Sequence, residues 1–274
     1  MRGLTMSVRV ERPAEHPHVA LVTIDRVERA NSLDPPTLRA LANAWREIAA
    51  DDAVRCAVLT GAGDRVFCAG MDMGSTILVS QRLARGERID PEDFEGLRSV
   101  STATLAGFDL GKPLVCAING HCRAVGLDMM LASEIRIAAE HATFALEEVA
   151  RGLYPTGNAT VLLARQIPWV HAQELLLTAE PISAARAAEI GLVSRVLPRE
   201  QVLPEALRVA GRIAANAPLA VRETRRGVRE LLHLPLEEAW RRQEELGRPL
   251  RKTADAAEGA RAFLEKRPPK WTGR

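Results

Sequence analysis

Short apolar runs alternate with amphipathic stretches over the first half of the chain. Residues 8–11 and 19–25 have the β-rich composition of strands, and the turn between them contains proline and histidine, so they are predicted to form a hairpin. Asp34 followed by Pro35 and Pro36 is a helix start, after which apolar residues recur at helical spacing. This alternation of strands and helices predicts an α/β fold.

The same alternation continues to about residue 156. Strands are predicted at 56–60, 115–118 and 135–138, with a helix at about 126–133. Residues 75–111 are charged and contain proline, which predicts only irregular helix or a loop. Beyond Thr156 strands nearly disappear. Helices are predicted there near residues 157–166, 171–178, 183–190, 202–216, 218–232, 235–252 and 254–265.

The charge of the chain is nearly balanced, which argues against a polyanionic partner. There are 37 basic and 35 acidic residues. Residues 199–274 carry 17 Lys and Arg against 11 Asp and Glu, but acids and bases are interleaved, which is typical of solvated helix faces. We therefore expect no nucleic-acid partner and no membrane surface.

Cysteine usage and the absence of long apolar runs predict a cytoplasmic protein. The four cysteines form no C-x-x-C pair, so neither a disulfide framework nor a zinc site is expected. The N-terminus lacks a signal-peptide pattern, and no apolar run approaches the roughly 18 residues that span a bilayer.

Three stretches have residues suited to chemistry. The first stretch, residues 61–73, has small residues that let the backbone approach a ligand closely; it reads Gly-Ala-Gly-Asp-Arg-Val-Phe-Cys-Ala-Gly-Met-Asp-Met. It fits neither the dinucleotide-binding pattern nor the phosphate-loop pattern. Residues 112–128 run from a strand through Asn119-Gly120 into a helix start, whose free N–H groups can hold a developing negative charge. Residues 144–157 place acids between a strand and a Pro/Gly turn.

In order and spacing, these stretches resemble the crotonase family of enoyl-CoA hydratases and isomerases. The resemblance begins at Arg29-Ala30-Asn31-Ser32-Leu33, which is similar to the family segment beside the CoA adenine. It ends at residues 262–268, which are similar to the C-terminal tail that contacts CoA. It implies a spiral of ββα units over residues 1–195. Residues 196–274 would be a helical region that packs subunits into homotrimers, often paired as hexamers.

The resemblance also implies catalytic roles. The backbone N–H groups of Met71 and Val125 would bind the thioester oxygen, where the charge of an enolate develops during addition of water. Asp128 would hold and activate the water that adds at C3, and Glu148 would deliver the proton to C2. No metal and no redox cofactor is expected. Coenzyme A is part of the acyl-CoA substrate and is therefore not counted as a cofactor. Residues implied in CoA binding are Arg29, Ala30, Ala69, Asp72, Met73, Phe263 and Lys266.

Two departures from the family pattern and one comparison with a group of its members bear on the reaction. Val125 stands where the family usually has glycine, so the loop must avoid positive φ there. Asp128 is one methylene shorter than the usual Glu. Thr156 lies eight residues after Glu148, where dienoyl-CoA isomerases have Asp, which favours simple hydration. Isomerisation, dehydration of a hydroxyacyl-CoA, thioester hydrolysis and a non-catalytic CoA- or RNA-binding role remain alternatives.

Overall fold

The computed structural model describes residues 7–274, in which ten strands form two sheets. The strands are β1 (Val8–Glu11), β2 (Val19–Ile24), β3 (Cys56–Gly61), β4 (Val66–Cys68), β5 (Leu114–Ile118), β6 (His121–Arg123), β7 (Ile135–Ala139), β8 (Thr143–Ala145), β9 (Ile182–Ser183) and β10 (Arg195–Leu197). The larger sheet has the order β1-β2-β3-β5-β7-β10, and the smaller one the order β4-β6-β8-β9. The predicted α/β class is confirmed.

Twelve α-helices accompany the two sheets in the described residues. They are α1 (Pro35–Ala50), α2 (Leu78–Ala84), α3 (Pro91–Arg98), α4 (Val100–Ala103), α5 (Val125–Leu131), α6 (Ala159–Gln166), α7 (Trp169–Thr178), α8 (Ala184–Glu189), α9 (Arg199–Ala214), α10 (Pro218–Leu231), α11 (Leu236–Leu250) and α12 (Ala254–Leu264). None of the helices within residues 7–274 is long and apolar enough to cross a bilayer.

The larger sheet forms the centre of the core. Strands β1 and β2 pair antiparallel, which confirms the predicted hairpin, and the other strands of this sheet are parallel. Strands β3 and β5 are buried along their whole length, as expected for parallel strands covered on both faces. Helix α9 packs on β3, β5 and β7. Helix α1 begins where the proline pair predicted it, and the Asp34 side chain accepts the Thr37 N–H.

The smaller sheet positions the functional loops. Strands β4, β6 and β8 are parallel, with Cys68 opposite Cys122 and Arg123 opposite Ala145. Because parallel strands end at the same edge of a sheet, the segments that follow all three strands meet there. The strands have three residues each, too few for hydrophobic periodicity to reveal, and the sequence did not predict β4 or β6.

Residues 75–111 form short, interrupted helices, which agrees with the expected irregular helix and contradicts the alternative of a loop. Helices α2, α3 and α4 lie there, preceded by a π-helical turn over Met73–Ile77. Helix α3 has an N-cap at Asp90 followed by proline, and it packs against α1 so closely that a β-carbon on Gly96 would lie 2.4 Å from the Pro35 β-carbon. Tertiary packing on α1 stabilises α3 and α4, whose bounds periodicity alone did not predict.

The C-terminal region is helical, as predicted. Helices α10 and α11 pack against each other, and α10 is tied to the core by Arg225, which pairs with Glu134 (2.8 Å) and Asp109 (2.7 Å). Strand β10 crosses the predicted division at residue 195, and α9 belongs to the packing of the sheet. The division into a core to residue 195 and a region over 196–274 that packs subunits stays a prediction.

Candidate active site

The loop after β4 is fixed by hydrogen bonds to residues 30–33. Ala69 N–H donates to the Ala30 carbonyl (3.1 Å), Leu33 N–H donates to the Gly70 carbonyl (2.9 Å), and Asp72 N–H donates to the Leu33 carbonyl (2.9 Å). Successive peptide groups along an extended segment point in opposite directions. Since Gly70 C=O and Asp72 N–H face Leu33, the N–H of Met71 faces away from it.

The loop after β6 turns sharply into helix α5. Ala124 has φ 46° and ψ −119°, a conformation that favours glycine, and its N–H donates to the Ala145 carbonyl (2.9 Å). The expectation that Val125 avoids positive φ is confirmed, because Ala124 takes that conformation instead. Val125 is the first residue of α5, so its N–H has no acceptor within the helix.

These two loops touch each other. A β-carbon on Gly70 would lie 3.0 Å from the Ala124 β-carbon and 3.9 Å from the Val125 nitrogen. A β-carbon on Gly126 would lie 2.9 Å from the Cys68 carbonyl oxygen, so glycine is required for this contact. Within residues 7–274, neither the Met71 nor the Val125 amide donates to a protein acceptor. Two free main-chain donors therefore lie on adjoining loops.

A pocket of about 110 Å³ opens beside these loops. Seven of its lining residues are apolar and three are charged, which is typical of a site that binds an apolar group and acts on it with a few polar groups. The lining residues are Ala69, Met71, Met73, Ile77, Ala124, Val125, Glu147, Glu148, Arg151 and Leu153. The structure thus brings Ala69, Met71, Met73, Val125 and Glu148 to one pocket.

Glu148 lines this pocket, and its carboxylate forms no salt bridge within the described residues. It follows β8 and precedes a 3₁₀ turn over Val149–Arg151, and its carbonyl accepts the N–H groups of Arg151 and Leu153 (2.9 Å each). Its Oε2 atom is buried and has no hydrogen-bond partner in the described part of the chain. Burial raises the pKa of the Glu148 carboxyl, which is the direction a proton donor at neutral pH requires.

Asp128 is placed differently. Its side chain is almost fully buried in α5, and Oδ1 accepts the Ala159 N–H at the start of α6 (2.7 Å). Asn158 supports the same region by donating from Nδ2 to the Asp128 carbonyl (2.9 Å). Burial raises the pKa of Asp128 to about 7; the Ala159 hydrogen bond opposes that rise, and the charge of nearby Glu148 adds to it. Asp128 is outside the pocket lining.

The other predicted CoA-binding residues lie away from this lining. The Asp72 carboxylate pairs with Arg26 (3.4 Å) and accepts the Gly74 N–H (3.0 Å). Arg29 and Ala30 belong to the turn that holds the loop after β4. Phe263, 83% exposed, and Lys266 are at the C-terminal end of α12 and just beyond it. The structure does not bring these side chains to the pocket.

Arg26 is a structural residue of the site that the sequence did not indicate, and Asn31, named only within the segment expected beside the CoA adenine, is another. Arg26 pairs with Asp34 (2.8 Å) as well as Asp72. The Asn31 amide donates to the carbonyls of Ala62 (2.9 Å) and Val66 (2.8 Å) on either side of the turn before β4. Both residues reach the segments on either side of β4 through tertiary contacts, and no local spacing in the sequence indicates these contacts. No group of three or more His, Cys, Asp or Glu that could hold a metal ion occurs in the described residues.

Comparison with known proteins agrees with this architecture. The profile of the family described as enoyl-CoA hydratase/isomerase matches residues 14–274. The chain belongs to the enoyl-CoA hydratase/isomerase family. An enoyl-CoA hydratase of Mycobacterium tuberculosis is 38% identical over 94% of each chain. The (E)-benzylidenesuccinyl-CoA hydratase of Thauera aromatica is 37% identical over 93% of this chain and 96% of its own.

Other members of the family have different names. A carnitinyl-CoA dehydratase of Salmonella paratyphi A is 32% identical over 92% of this chain and 94% of its own. The crystal structure of an enoyl-CoA hydratase from Bacillus anthracis is similar with a TM-score of 0.87 and 31% identity, over 98% of this chain and 100% of that one. The crotonase fold is therefore shown, and this chain is an acyl-CoA enzyme of that family.

Proposed function

We propose that this protein is an enoyl-CoA hydratase, which adds water reversibly to the double bond of trans-2-enoyl-CoA thioesters. The observation that carries the proposal is the pocket in which two adjoining loops place the free amides of Met71 and Val125 beside the unpaired carboxylate of Glu148. Relatives that are 37–38% identical and named as hydratases support the same reaction class.

The two amides would stabilise the enolate. Addition of water at C3 moves negative charge onto the thioester oxygen, and the N–H groups of Met71 and Val125 would donate to that oxygen. Loss of one such donor typically costs about 3 to 4 kcal/mol of transition-state stabilisation. Because both donors are main-chain groups, stabilisation of the enolate depends on the backbone conformation of the two loops and not on the side chains of residues 71 and 125.

The two acids would divide the proton transfers. Glu148, with a pKa raised by burial, would donate the proton to C2, and Asp128 in its ionised form would hold the water and accept its proton. The pKa of about 7 for Asp128 leaves a substantial ionised fraction at neutral pH. In the dehydration direction both roles would reverse.

The rest of the acyl-CoA would lie outside this pocket. Arg29, Ala30, Asp72 and Lys266 would lie along the CoA moiety, and Phe263 would pack near the CoA of a neighbouring subunit. Exposed apolar residues support subunit contacts in a homotrimer or hexamer. On and next to α10 and α11 they are Val228, Leu232, Leu236 and Trp240.

Purified protein incubated with crotonyl-, hexenoyl- and decenoyl-CoA tests the proposed reaction. We expect loss of the enoyl thioester absorbance, and mass spectrometry should show the acyl-CoA heavier by one water. Release of free CoA would identify a hydrolase instead. No change with any of the three thioesters would contradict the hydratase assignment.

A double-bond isomerase is a second candidate, favoured by the position of Asp128. Its carboxylate is bonded to the Ala159 N–H and lies outside the pocket lining, so Glu148 alone could shift a proton between two carbons. Asp128→Asn separates the two reactions, because hydration needs the second acid and a single-acid isomerisation does not. An isomerase would convert 3-enoyl-CoA to 2-enoyl-CoA with the mass unchanged, and the substitution would leave that rate within about threefold.

A further inference from the structure

Glu148 has a potential partner that does not reach it. Arg151 is three residues away in the same 3₁₀ turn, and its N–H donates to the Glu148 carbonyl (2.9 Å). A buried carboxylate normally pairs with a cation when one is within reach. Yet Glu148 Oε2 has no partner within residues 7–274, although both side chains line the same pocket.

The Arg151 guanidinium is held by Glu147. Its Nη1 donates to the Glu147 carbonyl (3.1 Å) and lies 3.4 Å from the Glu147 Oε2 atom. Glu147 is four residues from Arg151 and Glu148 is three residues from it, so both lie at spacings that allow a pair with the arginine. The structure shows the pair with Glu147. One acid of the sequence Glu147-Glu148 therefore binds the arginine, and the other remains free.

We propose that Glu147 is a positioning residue that keeps Arg151 away from Glu148, so that the Glu148 carboxylate stays unpaired and able to exchange a proton. The contact between Glu147 and Arg151 does not depend on which reaction the enzyme catalyses. Its effect on turnover rests on the function proposed above, because an acid that delivers a proton to carbon cannot do so while it is ionised and paired with an arginine.

The charged groups around Glu148 agree with this arrangement. Burial raises the pKa of Glu148 most, its own backbone N–H and the charge of Arg151 lower it, and the charge of Glu147 raises it. Asp128 on α5 also interacts with Glu148 through charge. Helix α7 packs on the same turn, and its ionisable residues have partners of their own: His171 lies 3.8 Å from Glu174 and also contacts Arg186 (3.3 Å). Arg151 is thus the cation that removal of Glu147 would release toward Glu148.

Glu147→Gln is the direct test, since it keeps the length of the side chain and removes its charge. We expect kcat for hydration at pH 7.5 to fall about tenfold with KM changed less than about threefold, because Glu148 then pairs with Arg151. The basic limb of the pH profile should move down by about one unit, since a paired carboxylate loses its proton at lower pH.

Removing the arginine as well should restore activity. Glu147→Gln combined with Arg151→Met leaves Glu148 without an arginine partner again. The kcat should then return to within about threefold of the original value, and the basic limb of the pH profile to within about half a pH unit. Glu189→Gln is the matched control, because it breaks a comparable pair with Arg186 (3.1 Å) on α8, and it should change nothing.

A measurement without substrate separates this proposal from the hydratase assignment. Carbon-13 NMR of labelled glutamate carboxyls, with Glu148→Gln to assign the resonance, follows the titration of Glu148 directly. A lower pKa in Glu147→Gln that recovers in the double variant supports the contact even if the enzyme proves to be an isomerase. An unchanged titration, or a double variant as slow as Glu147→Gln, would overturn the proposal.

Discussion

The two carboxyls of the candidate site differ in their hydrogen bonding. Asp128 lies near the start of α5, and Glu148 lies in the turn after β8. Asp128 is buried and Glu148 is half-buried, and burial raises the pKa of each. Asp128 receives a hydrogen bond from the Ala159 N–H, whereas Glu148 Oε2 has no partner in the described residues. Burial thus raises the pKa of both carboxyls, and the Ala159 N–H holds one oxygen of Asp128, whereas no neighbouring residue holds Glu148 Oε2.

Removing the Glu148 carboxyl should have the largest effect. Glu148→Gln has nearly the same shape and no transferable proton, so turnover of the enoyl-CoA should fall about 10²- to 10⁴-fold. Thermal stability should be unchanged or higher, because an unpaired buried acid is replaced by a neutral group. Steady-state kinetics and a melting curve check both expectations, and full activity in this variant would show that Glu148 is not the proton donor.

Asp128→Asn should change how stability depends on pH. The folded pKa of about 7 lies above the ordinary value of 3.8, so the folded state holds the proton while the unfolded state loses it, and wild-type stability falls as pH rises through this window. Relative to wild type, the variant should gain up to about 4 kcal/mol between pH 4 and pH 8.

Urea unfolding of both proteins across that range measures the difference directly, and the titration of groups common to both cancels. A stability difference that does not change with pH would mean that Asp128 titrates normally, and the contrast between the two carboxyls would then rest on Glu148 alone.

Gly157→Ala should disturb the Asp128 region selectively. A β-carbon on Gly157 would lie 2.0 Å from Asp128 Oδ2, so either the carboxyl or the backbone must move. We expect a loss of about 1 to 3 kcal/mol in the free energy of unfolding. Gly247→Ala is the control, because its β-carbon would meet nothing within 4 Å and alanine favours the helix. Equal stability of the two variants would show that Asp128 is loosely held.

Ala124→Gly should have the smallest effect and the opposite sign. Glycine adopts the conformation with φ 46° at little cost, so relief of strain should raise the free energy of unfolding by about 1 kcal/mol. Activity should stay within about twofold, because the Val125 amide keeps its place. Ala132→Gly at the end of α5, where φ is −74°, should destabilise instead. A destabilised Ala124→Gly would indicate that the loop is not strained.

Local sequence signals predicted much of the fold. The hairpin of β1 and β2, the start of α1, the strands β3, β5 and β7, and the run of C-terminal helices follow from apolar periodicity, proline and capping residues. Those signals act within a few residues, so the chain carries them without reference to the rest of the molecule. The bounds of α3 and α4 were not predicted, because the stability of these helices comes from packing on α1.

The functional stretches were recognisable in the sequence, but their arrangement was not. The resemblance to a family, based on the order and spacing of these stretches, identified Met71, Val125, Asp128 and Glu148 as candidates and gave them roles. Only the tertiary structure placed three short strands side by side so that their loops meet, directed Asp128 to the Ala159 N–H, and left Glu148 without a partner. These outcomes depend on contacts between residues far apart in the chain, and such contacts exist only once the sheets have formed.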